Sequence, residues 1–142
     1  MRGDSSTENS LFSNSVVYQL PHTGNVREGI SYVDDARVFD IYFPEQVERP
    51  VPVVVLVTGY PDPAFLERVG IKQMQVQAYR DWAKLLAASG MAAVIYSNVE
   101  PVNDAFTLLD FLRCKADELQ IDPARIAVWS CSGNVPNAIN IL

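Results

Sequence analysis

The sequence contains one histidine and two cysteines, and that scarcity removes several chemistries at once. Cys114 and Cys131 form no CxxC pair and His22 stands alone, so the sequence calls for neither a metal site nor a disulfide framework, and no cofactor is expected. Basic residues are also few. Against 17 Asp and Glu there are 11 Lys and Arg with no basic cluster, which leaves a net charge of -6 and argues against nucleic acid or an anionic membrane as partner. No apolar run is long enough to span a bilayer, and the N-terminus has no apolar core of the signal-peptide kind. Cytoplasmic placement is the default expectation, and there is no internal repeat. What the chain does have is 49% apolar residues within the length of one domain, enough for a packed core.

Residues 1–14 are rich in Ser, Asn and Glu and read as a mobile tail, with residues 15–142 forming the folded part. The Arg2-Gly3-Asp4 triplet is too short to indicate adhesion. Ser15–Leu20 reads as a first strand, broken by Pro21, Gly24 and Asn25, with His22 an exposed turn residue. Extended structure resumes over Gly29–Val33. Arg37–Phe43 alternates as a strand does, with Val38, Asp40 and Tyr42 on one face and Phe39, Ile41 and Phe43 on the other. Together these predict an antiparallel edge.

The pattern then changes. Val51–Val57 is a nearly continuous β-branched run, the mark of a strand buried on both faces, and it ends in Thr58-Gly59-Tyr60-Pro61-Asp62. Pro63–Gly70 reads as a loop or short helix. Gln73–Ser89 is helical, with Tyr79, Trp82, Ala83 and Leu86 on the inner face and Arg80, Asp81 and Lys84 on the surface. Gly90 stops it and Met91–Tyr96 is the next buried strand. The following helix, capped by Asn103 or Asp104, turns Ala105, Leu108, Leu109, Leu112, Ala116 and Leu119 inward and leaves Cys114 off the stripe. Ile121-Asp122-Pro123 turns the chain into the strand Arg125–Trp129. The fold class is α/β, a mostly parallel sheet with an antiparallel N-terminal edge, and strand ends that carry Gly and Pro at the carboxyl edge are where such sheets place ligand loops.

After Trp129 the chain runs Ser130-Cys131-Ser132-Gly133-Asn134, then Pro136 in the first turn of a helix. A strand, a tight turn carrying a hydroxyl and a thiol, and a helix make the layout of a nucleophile elbow, whose usual pattern is Gly-x-Ser-x-Gly. Two registers compete. With Ser132 as nucleophile, the crowded flanking places hold Ser130 and Asn134; with Cys131, they hold Trp129 and Gly133. Ser130 is small and Asn tolerates unusual backbone angles, whereas Trp129 is too large for its place, so Ser132 is favoured over Cys131. A third reading leaves Ser132 as a simple helix cap. Acyl transfer also needs donors for a developing oxyanion, and the backbone N–H groups of Tyr60 and Gly133 are the candidates if the two loops meet.

Three stretches carry a resemblance. Thr58-Gly59-Tyr60-Pro61 resembles the His-Gly-x-Pro oxyanion loop of α/β-hydrolase-fold proteins of the esterase and dienelactone-hydrolase-like sort, with Thr58 in place of the histidine. Asp122–Trp129 resembles the lead-in to the elbow of those proteins, and Ser130–Asn134 the elbow itself. The resemblance runs from about Val16 to Leu142. It implies an ester or related small-molecule acyl substrate, attack by Ser132, and an acid and a histidine on later strands, which no residue after Ser132 matches. His22 lies before the nucleophile, and Asp62 and Asp104 read as caps or pocket residues. The expectation is therefore the N-terminal half of a hydrolase domain, a fragment inactive alone. A non-catalytic binding protein of the same fold and a thiol hydrolase using Cys131 are the alternatives. Tyr60, Phe65 and Tyr96 are candidates for an apolar pocket; the substrate itself and the oligomeric state are not legible.

Overall fold

The computed structural model describes residues 12–15, 17–22, 24–46 and 48–142. Five strands form one sheet: β1 (Val26–Ser31), β2 (Val38–Tyr42), β3 (Val51–Leu56), β4 (Ala92–Tyr96) and β5 (Ile121–Trp129). Their spatial order is β1-β2-β4-β3-β5. β1 and β2 are antiparallel, β2 joins β4 antiparallel, and β3 lies parallel to both β4 and β5. The antiparallel edge followed by a parallel sheet is the arrangement the sequence predicts.

Among the described residues, the helices that connect and cover the sheet are α1 (Asp62–Val69), α2 (Gln77–Ala88), α3 (Pro101–Cys114), α4 (Ala116–Leu119) and α5 (Val135–Asn140), with 3-10 turns at Gln73–Gln75 and Ser132–Asn134. The chain runs from β3 through α1 and α2 to β4, then through α3 and α4 back across β3 to β5. That reversal puts α2 on one face and α3, α4 and α5 on the other, because right-handed crossovers in opposite directions land on opposite faces. Alternation along each strand feeds both layers. Phe39, Ile41, Val53, Val55 and Val94 pack with Leu108 and Leu112 of α3, while Leu56, Ala93 and Ile95 pack with Tyr79, Ala83 and Ala87 of α2. Leu108 and Leu112 are fully buried, each stabilising the fold by about 2 kcal/mol.

Several expectations need correction. The strand expected over Ser15–Leu20 does not form: residue 15 and residues 17–20 are irregular. Instead the Ser15 hydroxyl donates to the carboxylate of Asp81, which also accepts from Gln77 Nε2 at 2.9 Å, so Asp81 is buried and not on the surface. The helix expected from Gln73 begins as a 3-10 turn and becomes α-helical only at Gln77. α3 starts at Pro101, so neither Asn103 nor Asp104 is its N-cap; Asp104 reaches back from inside the first turn to accept the N–H groups of Val99 and Glu100 at 2.7 and 2.9 Å. Ile121 is not a turn residue but pairs with Val51 in the sheet. The tail expected over 1–14 falls outside the described residues up to position 11; of the remainder, Phe12 packs edge-on against Phe65 with ring centroids 6.2 Å apart. Among the described residues no helix is long and apolar enough to cross a membrane.

Candidate active site

β3 and β5 are neighbours, so the loops at their carboxyl ends meet. The Val57 N–H donates to the Trp129 carbonyl at 2.8 Å, which keeps the two strands paired to their last residues. Beyond Trp129 the backbone turns sharply. Cys131 is extended, with φ −141° and ψ 158°, and Ser132 follows at φ 53°. A side chain other than glycine in this left-handed region is uncommon and holds local strain unless the surroundings enforce it. Gln120, which ends α4, is the other such residue among those described. The Ser132 side chain stands at an exposed position on top of the strand.

Asn134 takes the place where the usual elbow has its second glycine. Its backbone is at φ −85° and ψ −17°, so no left-handed angle is required there. Its side chain is buried and is the centre of a polar clamp. Oδ1 accepts the Gly59 N–H at 2.7 Å and Gln73 Nε2 at 3.3 Å, and Nδ2 donates to the Tyr79 hydroxyl at 2.6 Å. The approach is close enough to explain Gly59. A Cβ there would lie 3.0 Å from Asn134 Cα and 3.3 Å from the Gly133 carbonyl oxygen. Asn137 adds a second tie, with Nδ2 donating to the carbonyls of Thr58 and Pro101 at 2.8 and 3.0 Å.

Thr58, standing where the resemblance places a histidine, is buried. Its N–H donates to the Tyr96 hydroxyl at 3.3 Å and its Oγ1 accepts Asn98 Nδ2 at 2.8 Å. Asp62 underpins the same loop from the first residue of α1, accepting the N–H groups of Gln73 and Asn98 at 2.9 Å each. Burial pushes its carboxyl pKa up, against the pull of those two donors. The backbone of the loop after β3 is thus held from below by side chains of β4, α1, the 3-10 turn Ser132–Asn134 and α5.

The side chain of Tyr60 crosses over Gly133. A Cβ on Gly133 would overlap the Tyr60 hydroxyl and stand 2.8 Å from its Cζ. The backbone N–H groups of Tyr60 and Gly133 have no hydrogen-bond partner among the described residues. Beside Tyr60 opens a cavity of about 480 Å³, lined by Tyr60, Pro61, Ala64, Phe65, Glu67 and Arg68. Of the three pocket aromatics expected, Tyr60 and Phe65 line it; Tyr96 does not, being wholly buried beneath Thr58.

The remaining candidates are placed as follows. Cys131 is half-buried, and burial raises its thiol pKa, which reduces the thiolate that a nucleophilic cysteine needs. His22 has a ring nitrogen 2.8 Å from the Phe43 carbonyl. Phe43 follows Tyr42, which pairs with Ala93 at the amino end of β4, so this histidine sits at the opposite end of the sheet from Ser132. The sequence marked Asn134 only as a residue that tolerates unusual backbone angles, and it did not single out Asn137 or the side chain of Gln73. Each is a polar residue whose partners lie far along the chain, and only the two breaks in the glycine pattern hinted that position 134 was special.

The architecture matches solved structures of esterases. A bifunctional GH43-CE protein of Bacteroides eggerthii superposes with a TM-score of 0.64 at 24% identity, over 80% of this chain and 16% of that one. A truncated form of a carbohydrate esterase from gut microbiota gives 0.67 at 15% identity, over 84% and 44%. An ester-hydrolase from the metagenome of Lake Arreo gives 0.66 at 16% identity, over 94% and 42%. The fold is therefore that of an α/β-hydrolase, and the chain spans less than half the length of these structures. No family model matches the sequence, and neither does any curated protein.

Proposed function

We propose that this chain carries the nucleophile and the oxyanion donors of a serine hydrolase acting on a small-molecule ester or related acyl bond. The observation that carries the reading is Ser132, exposed at the carboxyl end of β5 with a left-handed backbone and set against the Gly59–Tyr60 loop at the end of β3. A strained turn of this kind is how a sheet presents one reactive hydroxyl. Cys131 is the weaker candidate, since its backbone is extended and its thiol is disfavoured as thiolate.

In the proposed reaction Ser132 Oγ attacks the acyl carbon and gives up its proton to a base. The carbonyl electron pair moves to oxygen, where the free N–H groups of Tyr60 and Gly133 stabilise the charge. Collapse of the tetrahedral intermediate expels the alcohol, which takes the proton back, and water then releases the acyl group from Ser132 by the same sequence. The cavity beside Tyr60 offers an apolar wall of Tyr60, Pro61, Ala64 and Phe65 to the acyl or alcohol group. No histidine follows Ser132 in the sequence, and His22 is at the far end of the sheet. In this reading neither the base nor its acid partner is assigned to a residue of this sequence, and the expected turnover without an added base is negligible.

Added imidazole supplies the missing base and makes this testable. Hydrolysis of p-nitrophenyl acetate with imidazole should exceed the rate of an equimolar Ser132→Ala control, and should be indistinguishable from it without imidazole. Equal rates under both conditions would reject the nucleophile assignment. The same lack of a base favours a second reading, an α/β-hydrolase-like binding module. That reading predicts ligand binding unchanged by Ser132→Ala and no imidazole-dependent chemistry.

A further inference from the structure

We propose that the phenol of Tyr60 is a third donor to the oxyanion, in addition to its own backbone N–H and that of Gly133; the inference rests on Ser132 being the nucleophile. The Tyr60 side chain does not leave from a loose loop. Its neighbour Gly59 is bonded to Asn134 Oδ1 at 2.7 Å, and Thr58 is held through its carbonyl by Asn137 and through its Oγ1 by Asn98. From that fixed point the ring reaches across to the residue directly after Ser132. The Cζ and Cε2 atoms lie 2.8 and 3.1 Å from where a Gly133 Cβ would be, with the hydroxyl closer still.

This contact explains why position 133 holds the elbow's only glycine. Gly133 is not in the left-handed region; the glycines that are, among the described residues, are Gly29, Gly70 and Gly90. Its lack of a side chain therefore serves the space occupied by the phenol and not a backbone angle. The hydroxyl so placed has no hydrogen-bond partner among the described residues, although the ring is only half exposed, at 48%. A phenol O–H can donate a hydrogen bond to a developing alkoxide without being consumed. It would do so beside Gly133, whose N–H is already one of the proposed donors.

The test follows phosphonylation of Ser132 by a fluorophosphonate at fixed imidazole concentration. Ser132 Oγ bonds to phosphorus, fluoride leaves, the Oγ proton passes to imidazole, and the phosphoryl oxygen takes the oxyanion position. Saturation kinetics separate the limiting rate from the half-saturating probe concentration. Tyr60→Phe keeps the ring on Gly133 and removes only the hydroxyl. It should lower the limiting rate by roughly 10- to 100-fold, at or below the usual loss for an oxyanion donor, with half-saturation unchanged. Gly133→Ala, which displaces the phenol, should slow labelling similarly, and the double variant Tyr60→Phe/Gly133→Ala should lose little more. A limiting rate in Tyr60→Phe equal to the parent would overturn the proposal and leave the nucleophile assignment standing. Faster labelling in Tyr60→Phe would identify the phenol as a plug and also overturn it. If Ser132 of the parent chain is not labelled at any imidazole concentration, the nucleophile assignment fails and this inference with it.

Discussion

The side chain of Asn134 accepts the backbone N–H of Gly59 at 2.7 Å, and this bond joins the turn after β5 to the loop after β3. The two loops belong to strands that only tertiary structure brings together, and Asn134 is one of the residues that tie their geometry together. Asn134→Ala leaves the Gly59 N–H without its buried acceptor and removes the donor to the Tyr79 hydroxyl. We expect a loss of about 2–4 kcal/mol in urea unfolding. Asn134→Gly restores the second glycine of the usual elbow pattern and should be destabilised as much or more, because what matters here is the amide and not the backbone angle.

Gly59 answers to the same contact from the other side. Gly59→Ala sets a methyl group 3.0 Å from a backbone carbon, which cannot rotate away. The variant should lose about 1–3 kcal/mol and, in imidazole-supported labelling, react more slowly than its stability loss accounts for, since the Tyr60 N–H moves with the loop. Full reactivity in a folded Gly59→Ala protein would show that the spacing of the two loops is not critical.

Asp62 makes a prediction in pH. Its pKa is raised in the folded protein, first by burial, so the folded state binds its proton more tightly than the unfolded state does. The resulting stability is complete below the unfolded pKa of about 4 and is lost as pH rises through the folded value. Asp62→Asn removes this dependence. The stability of Asp62→Asn relative to the parent should therefore improve from pH 4 to pH 7, as read from urea midpoints at each pH. A relative stability that instead falls over that range would contradict the raised pKa.

Asp104 is a buried acid that ties the start of α3 to Arg37. It is 2% exposed, accepts the N–H groups of Val99 and Glu100, and is paired with Arg37 at 3.3 Å. Asp104→Ala strands these donors at the start of α3 and should cost about 3–5 kcal/mol, with Asp104→Asn costing less because one acceptor remains. Thermal unfolding of the two variants provides the comparison.

Much of the fold was legible because burial repeats at the period of the element. The β-branched run at Val51–Val57 and the stripe Leu108, Leu109, Leu112 announce a buried strand and an amphipathic helix without outside help, although the one helix expected through Leu119 breaks at Lys115 into α3 and α4. Ser15–Leu20 misled for the same reason. Its composition suits a strand, but strands need a partner, and Ser15 instead bonds to Asp81 of α2. At the site, the hydroxyl turn and the two candidate N–H groups could be read from local order. The role of Asn134 could not, because Gly59, Gln73 and Tyr79 are 75, 61 and 55 residues away. For the same reason Gly133 was legible only as a flanking place and a backbone N–H candidate, while its lack of a side chain makes room for Tyr60.

The central claim is that Ser132 is the reactive group. The most direct measurement is the site of fluorophosphonate modification, read by intact mass and peptide mapping of the 142-residue chain with and without imidazole. The account predicts one adduct, on Ser132, formed far faster with imidazole and absent in Ser132→Ala. No adduct, or an adduct on Cys131 or Tyr60 that persists in Ser132→Ala, would contradict it.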